Sequence, residues 1–237
     1  MYVFYEPNIQ TNIVSLSEEE SRHCVKVLRK KAGDSVYLTD GKGKLFEGTL
    51  ADNNIRGCVI NITSVREEYN KRNYYLHIAI APTKSHDRFE FFLEKATEIG
   101  INEITPIICA RSERKTLNMS RSERIIESAM KQSVCTYKPI LNEPVHFNEF
   151  IRKTGDSATY IAHCMEGSKT GIQDILPSGN NTIIAIGPEG DFSPEETEAA
   201  LTNGFTGLDL GKQRLRTETA GIIVCNSFAL LAVKNTL

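Results

Sequence analysis

The chain has 237 residues, of which 40% are apolar and 24% charged, and a formal net charge of −2. This composition is typical of a globular protein with a sizeable core, and the charge excludes a simple polycation. No apolar run approaches the roughly 18 residues of a membrane span, and the first residues lack the basic and then apolar pattern of a signal peptide. We therefore expect a cytoplasmic protein with no membrane partner.

The six cysteines are scattered and form no C-x-x-C pair, which predicts reduced thiols, mostly in the core. His163 and Cys164 are the one His/Cys neighbour pair. Adjacent residues of a strand point to opposite faces, so this pair makes a poor metal site. We expect no metal.

Residues 1–70 are predicted to form a small β-rich domain with one helix. The sequence Ser17-Glu18-Glu19-Glu20 is a capping box that opens the helix, which is expected to stop near Gly33. Short strands joined by Gly- and Asn-containing turns favour a compact barrel or meander. These strands are predicted at 36–38, 45–50 and 58–62. The polar segment 67–73 is the predicted linker.

Residues 74–237 alternate between strand and helix patterns, which predicts a mainly parallel sheet covered by helices. Strands are predicted at 75–81, 104–108, 159–162, 182–186 and 207–210. Helices are predicted at 89–99, at 121–134, from Ser193 onward, and at 220–233. Ser193 is a favourable N-cap and Pro194 suits the first helical position.

Three loops follow strands of this sheet, at 163–167, 187–192 and 211–216. Open α/β sheets bind ligands beyond the carboxyl ends of their strands, and glycines near helix starts leave backbone N–H groups available. The 187–192 loop could also be only a tight turn. A phosphate-binding loop is disfavoured, because both glycine-rich phosphate motifs are absent and Glu189 and Asp191 would repel phosphate. A cationic sulfonium suits this acidity better.

The third loop leads into the last predicted helix. Thr217 is a good N-cap, and Glu218 in the first turn is favoured by the helix dipole, so helix stabilisation alone could explain Glu218. Arg216 gains nothing from the positive end of a helix. Its position therefore indicates a contact with a ligand or with RNA.

Several of these segments resemble the motifs of one family. Ile186-Gly187-Pro188-Glu189-Gly190 followed by Phe192-Ser193-Pro194-Glu195-Glu196 is similar to one signature of the RsmE family, and Leu210-Gly211 with 215–220 is similar to the second. Upstream segments match in the same order, at 23–29 with 33–34, at Lys84 with 95–100, and at 127–132. Members of this family methylate N3 of a specific uridine in the 16S RNA of the small ribosomal subunit.

The resemblance implies a PUA-like RNA-binding β-barrel domain at 1–70 and a SPOUT-type α/β methyltransferase domain with a C-terminal trefoil knot at 74–237. The knot would be an exception to the usual topology of proteins. The resemblance also implies a homodimer, S-adenosylmethionine as cofactor, and 16S rRNA within the small subunit as partner. The cofactor would be held by His163, Gly167, Ile186, Gly187, Pro188, Glu189, Gly190, Leu210, Gly211, Arg214, Leu215, Thr217 and Thr219. Asp191 and Arg214 depart from the family pattern, which usually has glycine and an aliphatic residue there.

Methylation of N3 of uracil requires loss of the N3 proton, because neutral uracil is a poor nucleophile. A cation beside the uracil carbonyl oxygens would favour the anionic form, and Arg216 is the candidate for this role. Glu218 is predicted either to orient Arg216, which we prefer, or to accept the proton.

Two groups of basic residues are candidates for RNA capture. Arg22, Lys26 and Arg29 are spaced i, i+4 and i+7, which would place them on one helix face. The second group comprises Arg111, Arg114, Lys115, Arg121 and Arg124. A solvated charged surface is the alternative for each group. The alternative functions are a related knotted methyltransferase acting on another RNA base, a non-catalytic RNA-binding or assembly factor, and an enzyme acting on small molecules.

Overall fold

The structure is a computed structural model that describes residues 2–175 and 181–234. The chain divides into two compact units. The first comprises Met1–Lys71 with Glu127–Lys138, and the second comprises Arg72–Ile126 with Pro139–Leu237. Nothing in the sequence pattern had indicated that residues 127–138 would belong to the first unit.

A five-stranded sheet forms the first unit, in the order β1-β3-β4-β5-β2. The strands are β1 (Val3–Tyr5), β2 (Ile13–Ser15), β3 (Ser35–Thr39), β4 (Leu45–Asp52) and β5 (Val59–Arg66). Strand β1 is parallel to β3, and the other pairings are antiparallel. The three strands predicted from the sequence are confirmed as β3, β4 and β5. Their buried apolar side chains, among them Leu38, Leu50 and Ile60, form the core of this unit.

The helix of the first unit is shorter and less regular than predicted. Helix α1 (Glu18–Arg22) begins where the Ser17 hydroxyl accepts the Glu20 N–H at 3.3 Å. From His23 to Val27 the backbone then forms a π-helical turn. Arg29 has a left-handed φ of 55°. The expectation of a helix up to Gly33 was therefore wrong, because the wider turn and the left-handed residue end it earlier.

An eight-stranded sheet forms the second unit within the described residues, and all its pairings are parallel. The strand order is β11-β13-β10-β12-β6-β7-β8, with β9 paired to β7. The strands are β6 (Tyr75–Ile80), β7 (Glu103–Ile108), β8 (Ile140–Leu141), β9 (Val145–His146), β10 (Ala158–Ala162), β11 (Thr170–Gly171), β12 (Asn181–Ile186) and β13 (Thr206–Asp209). The prediction of a mainly parallel sheet is confirmed. Because β13, β10 and β12 are neighbours, the loops that follow them lie along one edge.

Helices cover this sheet, as the alternating pattern predicted. They are α2 (His86–Ile99), α4 (Phe147–Phe150), α5 (Pro194–Thr202) and α6 (Thr217–Lys234), with the first half of α3 (Met119–Ser133), whose residues from Glu127 onward belong to the first unit. Helix α2 ends at Gly100, whose φ of 125° is accessible to glycine. Helix α5 begins with a complete capping box between Ser193 and Glu196. No helix in 2–175 or 181–234 combines the length and the apolarity that a membrane crossing requires.

Helix α6 packs closely on α2, with Val224, Cys225 and Phe228 in the same buried cluster as Phe92. Gly221 makes this approach possible, because a Cβ atom there would lie 2.5 Å from Cε2 of Phe92. The first turn of α6 is thereby held against the core, next to the edge where the three loops meet.

The docking of α6 can be tested by truncating Phe228, which is fully buried. We expect Phe228→Ala to lower the free energy of unfolding by about 3–5 kcal/mol, because it leaves a cavity in the core. Leu230 is 64% exposed on the same helix, and Leu230→Ala should change stability by less than about 0.5 kcal/mol. Denaturant titration of both variants measures the difference, and equal losses would show that α6 does not dock through Phe228.

Candidate active site

A cavity of about 640 Å³ opens at the carboxyl ends of β10, β12 and β13. All three loops predicted from the sequence contribute to its lining. The predicted residues that line it are His163, Ile186, Gly187, Pro188, Glu189, Leu210, Gly211, Arg214, Leu215, Arg216 and Thr217. Gly167, Gly190, Glu218 and Thr219 lie outside this lining. The structure therefore brings most of the predicted site together.

A hydrogen bond joins the second loop to the start of α6. The buried hydroxyl of Thr217 donates to the carbonyl oxygen of Gly187 at 3.0 Å. The prediction of Thr217 as an N-cap was wrong, because α6 begins at Thr217 itself and its hydroxyl bonds across the site. Thr217 therefore fixes the distance between the second loop and the helix that follows the third.

Asp191 joins the second loop to the first. Its Oδ2 accepts the backbone N–H of Cys164 at 2.9 Å, and its Oδ1 accepts the N–H of Phe192 at 2.9 Å. Its φ of 62° lies in the left-handed region, which Asp and Asn tolerate better than most residues. Asp191 therefore adopts a backbone conformation that glycine would adopt easily. Its side chain also adds a hydrogen bond between two loops, which glycine could not make.

Two further contacts hold the second loop from outside. Glu189 Oε1 accepts the backbone N–H of Lys84 at 2.9 Å. Arg111 Nη1 donates to the carbonyl oxygens of Gly190 at 2.9 Å and Phe192 at 3.3 Å. The carboxylate of Glu189 and the carbonyl of Gly190 therefore already have partners in the chain.

Glu218 is buried in the first turn of α6, and its partner is Arg88 of α2. The two side chains are 3.8 Å apart, from Arg88 Nε to Glu218 Oε1. Glu218 Oε2 is buried and has no hydrogen-bond partner in the described part of the chain. No contact between Glu218 and Arg216 is seen in the described part of the chain, so the preferred expectation that Glu218 orients Arg216 is not supported. Sequence reasoning missed Arg88, because the pair joins two helices far apart in the chain.

His163 lines the cavity and carries a buried nitrogen, Nδ1, without a hydrogen-bond partner among the described residues. Burial and the nearby Lys169 ammonium lower the pKa of His163 from its ordinary value of 6.5, against an opposing effect of Asp191. The shift favours the neutral form of His163, and Nδ1 is the ring nitrogen without a partner in the described part of the chain.

The basic residues proposed for RNA capture differ in how they are placed. Arg22 and Lys26 are exposed and line one groove of the first unit. Arg29 lies beyond the π-helical turn, so the prediction of one regular helix face for all three was wrong.

Three residues of the second cluster have partners within the protein, which favours the alternative of a structural, solvated surface. They are Arg111 on Gly190, Arg114 on the Thr83 carbonyl, and Arg121 on Glu90.

Comparison with known proteins identifies the family. Residues 70–229 match the family model of an RNA methyltransferase domain, and residues 16–61 match that of an RNA methyltransferase PUA domain. Ribosomal RNA small subunit methyltransferase E of Mesomycoplasma hyopneumoniae is 31% identical over 94% of this chain and 97% of its own length. The chain belongs to the RsmE family of RNA methyltransferases.

Other RsmE proteins support the same assignment. The Bacillus subtilis protein is 26% identical over 91% of this chain and 89% of its own length. The crystal structure of the RsmE protein from Neisseria gonorrhoeae, bound to S-adenosyl methionine, is similar with a TM-score of 0.89. It is 27% identical, and the match covers 98% of each chain. The family resemblance, the fold class and the PUA-like domain predicted from the sequence are confirmed.

The two functions of Asp191 can be separated by substitution. Asp191→Asn keeps an acceptor and tolerates the left-handed φ, Asp191→Gly keeps only the backbone freedom, and Asp191→Ala keeps neither. We expect stability to fall in that order, with a loss of about 2 kcal/mol for alanine. Chemical denaturation measures it. If glycine and alanine behave alike, the backbone conformation of residue 191 is not a constraint.

The lowered pKa of His163 predicts how the free energy of unfolding changes with pH. The unfolded chain binds the His163 proton more tightly than the folded one, so stability falls as the pH drops below 6.5 and levels off below the folded-state pKa. His163→Gln removes this contribution. The unfolding free energy of the wild type minus that of the variant should therefore decrease on acidification through 6.5. A difference that is constant with pH would contradict the shift.

Proposed function

We propose that this protein transfers a methyl group from S-adenosylmethionine to N3 of a specific uridine in the 16S rRNA of the small ribosomal subunit. The observation that carries the proposal is one cavity formed by the three loops after β10, β12 and β13 in a chain of the RsmE family. A relative bound to S-adenosyl methionine supports the cofactor.

The residues of the cavity fit this cofactor. Its volume lies within the range of about 300–1,000 Å³ typical of ligand pockets. Ile186, Leu210 and Leu215 offer apolar surface to an adenine, and the unpartnered His163 Nδ1 offers a polar contact. The cavity is lined by the acidic Glu189, Asp191 and Asp209 and by basic side chains of the same loops, so its charge alone does not select a cationic sulfonium. We assign cofactor binding to the lining residues of the three loops, while Gly167, Gly190 and Thr219 would shape those loops.

Arg216 is the residue to which we assign stabilisation of the reacting base. It is exposed at the rim of the cavity, immediately before the first residue of α6. Its guanidinium can donate to uracil carbonyl oxygens, which gain charge as the N3 proton leaves. S-adenosylmethionine supplies an electrophilic methyl group, so the protein needs to provide only a nucleophilic, correctly placed uracil.

Glu218 retains a role in proton transfer within this proposal. Arg88 contacts one carboxylate oxygen, and the other has no partner among the described residues. Because Glu218 lies outside the cavity lining, we assign it acceptance of the N3 proton relayed by water, which is the second of the two roles considered for it. Arg88 would act as a positioning residue, because its guanidinium lies 3.8 Å from Glu218 Oε1 and holds the carboxylate in place.

The rest of the proposal follows from the family. We assign RNA binding to residues 1–70, including Arg22, Lys26 and Arg29, and catalysis to residues 74–237 with a C-terminal trefoil knot. We also propose a homodimer that acts in the cytoplasm, where ribosomal subunits are modified, without a metal ion. Within the described residues no group of three His, Cys, Asp or Glu side chains is arranged to bind one.

The proposed reaction can be tested directly. The protein is incubated with methyl-labelled S-adenosylmethionine and either naked 16S rRNA or assembled small subunits, and the RNA is digested to nucleosides. We expect label in 3-methyluridine. Label in another nucleoside would contradict the assigned position, and absence of label with both substrates would contradict the function.

Arg216→Ala tests the catalytic assignment. We expect the methyl-transfer rate to fall by about a hundredfold or more, while affinity for S-adenosylmethionine changes only a few-fold. Arg216→Lys should recover part of the rate, because it restores the charge without the planar donor pair. Single-turnover rates and calorimetric binding separate the two effects. If cofactor affinity collapses instead, Arg216 serves the cofactor site rather than the base.

A further inference from the structure

A groove of about 580 Å³ lies in the first unit, and it includes Arg22 and Lys26, two of the residues to which we assign RNA binding. Its apolar surface includes Val27, which is 64% exposed, and Ile55, which is 39% exposed. Arg22 and Lys26 supply positive charge at the same groove, which Glu19 and the ion pair of Glu20 with Lys131 also line. Apolar surface flanked by cations is the composition expected of a site for a flat, uncharged ring attached to a phosphate chain.

Two buried polar atoms at this groove have no partner within the described residues. They are Nε2 of His23 and Oε2 of Glu20. Leaving buried polar atoms unpaired is costly, and such atoms in a folded protein call for an explanation. The ring of His23 stacks on Tyr2, with centroids 4.6 Å apart, and the other oxygen of Glu20 pairs with Lys131. Both groups are thus oriented, with one hydrogen-bonding atom unused.

The backbone at the groove is also irregular. His23 and Val27 are the two ends of the π-helical turn, and Arg29 follows with its left-handed φ. Such features cost stability and are concentrated at functional positions. Here the wide turn places His23, Lys26 and Val27 together along one groove.

We propose that this groove binds an unpaired nucleobase of the RNA substrate, at a position distinct from the uridine that is methylated. The base lies between Val27 and Ile55. Its Watson–Crick edge meets the oriented His23 and Glu20 atoms, since that edge of every unpaired nucleobase carries both a donor and an acceptor. Arg22 and Lys26 contact the flanking phosphates. The exposed ion pair of Arg22 with Glu18 is no obstacle, because such pairs contribute little.

This inference rests on the proposed function only for the identity of the partner as RNA. It differs from a plain electrostatic surface in one respect, namely that affinity depends on the base as well as on the phosphates. The probe is therefore a pair of short fluorescent single-stranded RNA oligonucleotides of equal length, one of oligocytidine and one with abasic riboses. We expect the wild type to bind the first about tenfold more tightly.

Matched variants locate the effect. Val27→Glu should lower affinity for oligocytidine about tenfold and abolish the preference over the abasic strand. Ile13→Glu adds the same charge to the same unit at a residue that is 65% exposed and outside the groove. It should change affinity less than about threefold. Ile55→Glu is the second groove variant if Val27→Glu unfolds, and thermal melts check each protein.

The outcomes separate the groove from the methyl-transfer reaction. Equal affinity for the two strands, or equal losses in the groove and control variants, would overturn the inference even if 3-methyluridine is formed. Base-dependent binding that Val27→Glu abolishes would support it. That result would stand even if labelled S-adenosylmethionine fails to modify 16S rRNA, because binding is measured without cofactor.

Discussion

The adjacency of β13, β10 and β12 in a parallel sheet is the constraint on which the candidate site depends. The loops that follow parallel strands lie at the same edge of the sheet. Three segments separated by up to about fifty residues of chain therefore meet there because of the strand order alone. Each strand is short, and the apolar residues Ala162, Ile186 and Leu208 at the strand ends form part of the cavity lining. The hydrogen bond from Thr217 to Gly187 then sets the spacing between two of these loops.

The loops are stabilised mainly by bonds between side chains and backbone. Asp191, Glu189, Arg111 and Thr217 each reach from one segment to a main-chain group of another. This leaves the cavity walls defined before a ligand arrives, which lowers the cost of ordering them on binding. It also explains how aspartate replaces the glycine usual in the family, since its carboxylate compensates for the restricted backbone.

The sequence was informative where the physical signal is local. Periodicity, capping boxes and glycines located most strands and helices, and short motifs located the three loops. It failed where the structure depends on residues distant in the chain. Arg88 and Glu218 meet only because α6 lies on α2, and the bond of Asp191 to Cys164 depends on the order of the strands. The π-helical turn was missed because residues 23–27 carry an ordinary helical pattern.

At Gly221, the packing of the core and the geometry of the candidate site depend on the same close approach of two helices. Helix α6 carries Thr217 and Glu218 at one end and is seated against Phe92 through a position with no side chain. A bulkier residue there would push α6 away from Phe92 and Ile80, which belong to the main core of the second unit. Any descendant that loses this glycine would therefore lose stability and the placement of Thr217 and Glu218 together, so the position cannot vary to tune one without disturbing the other.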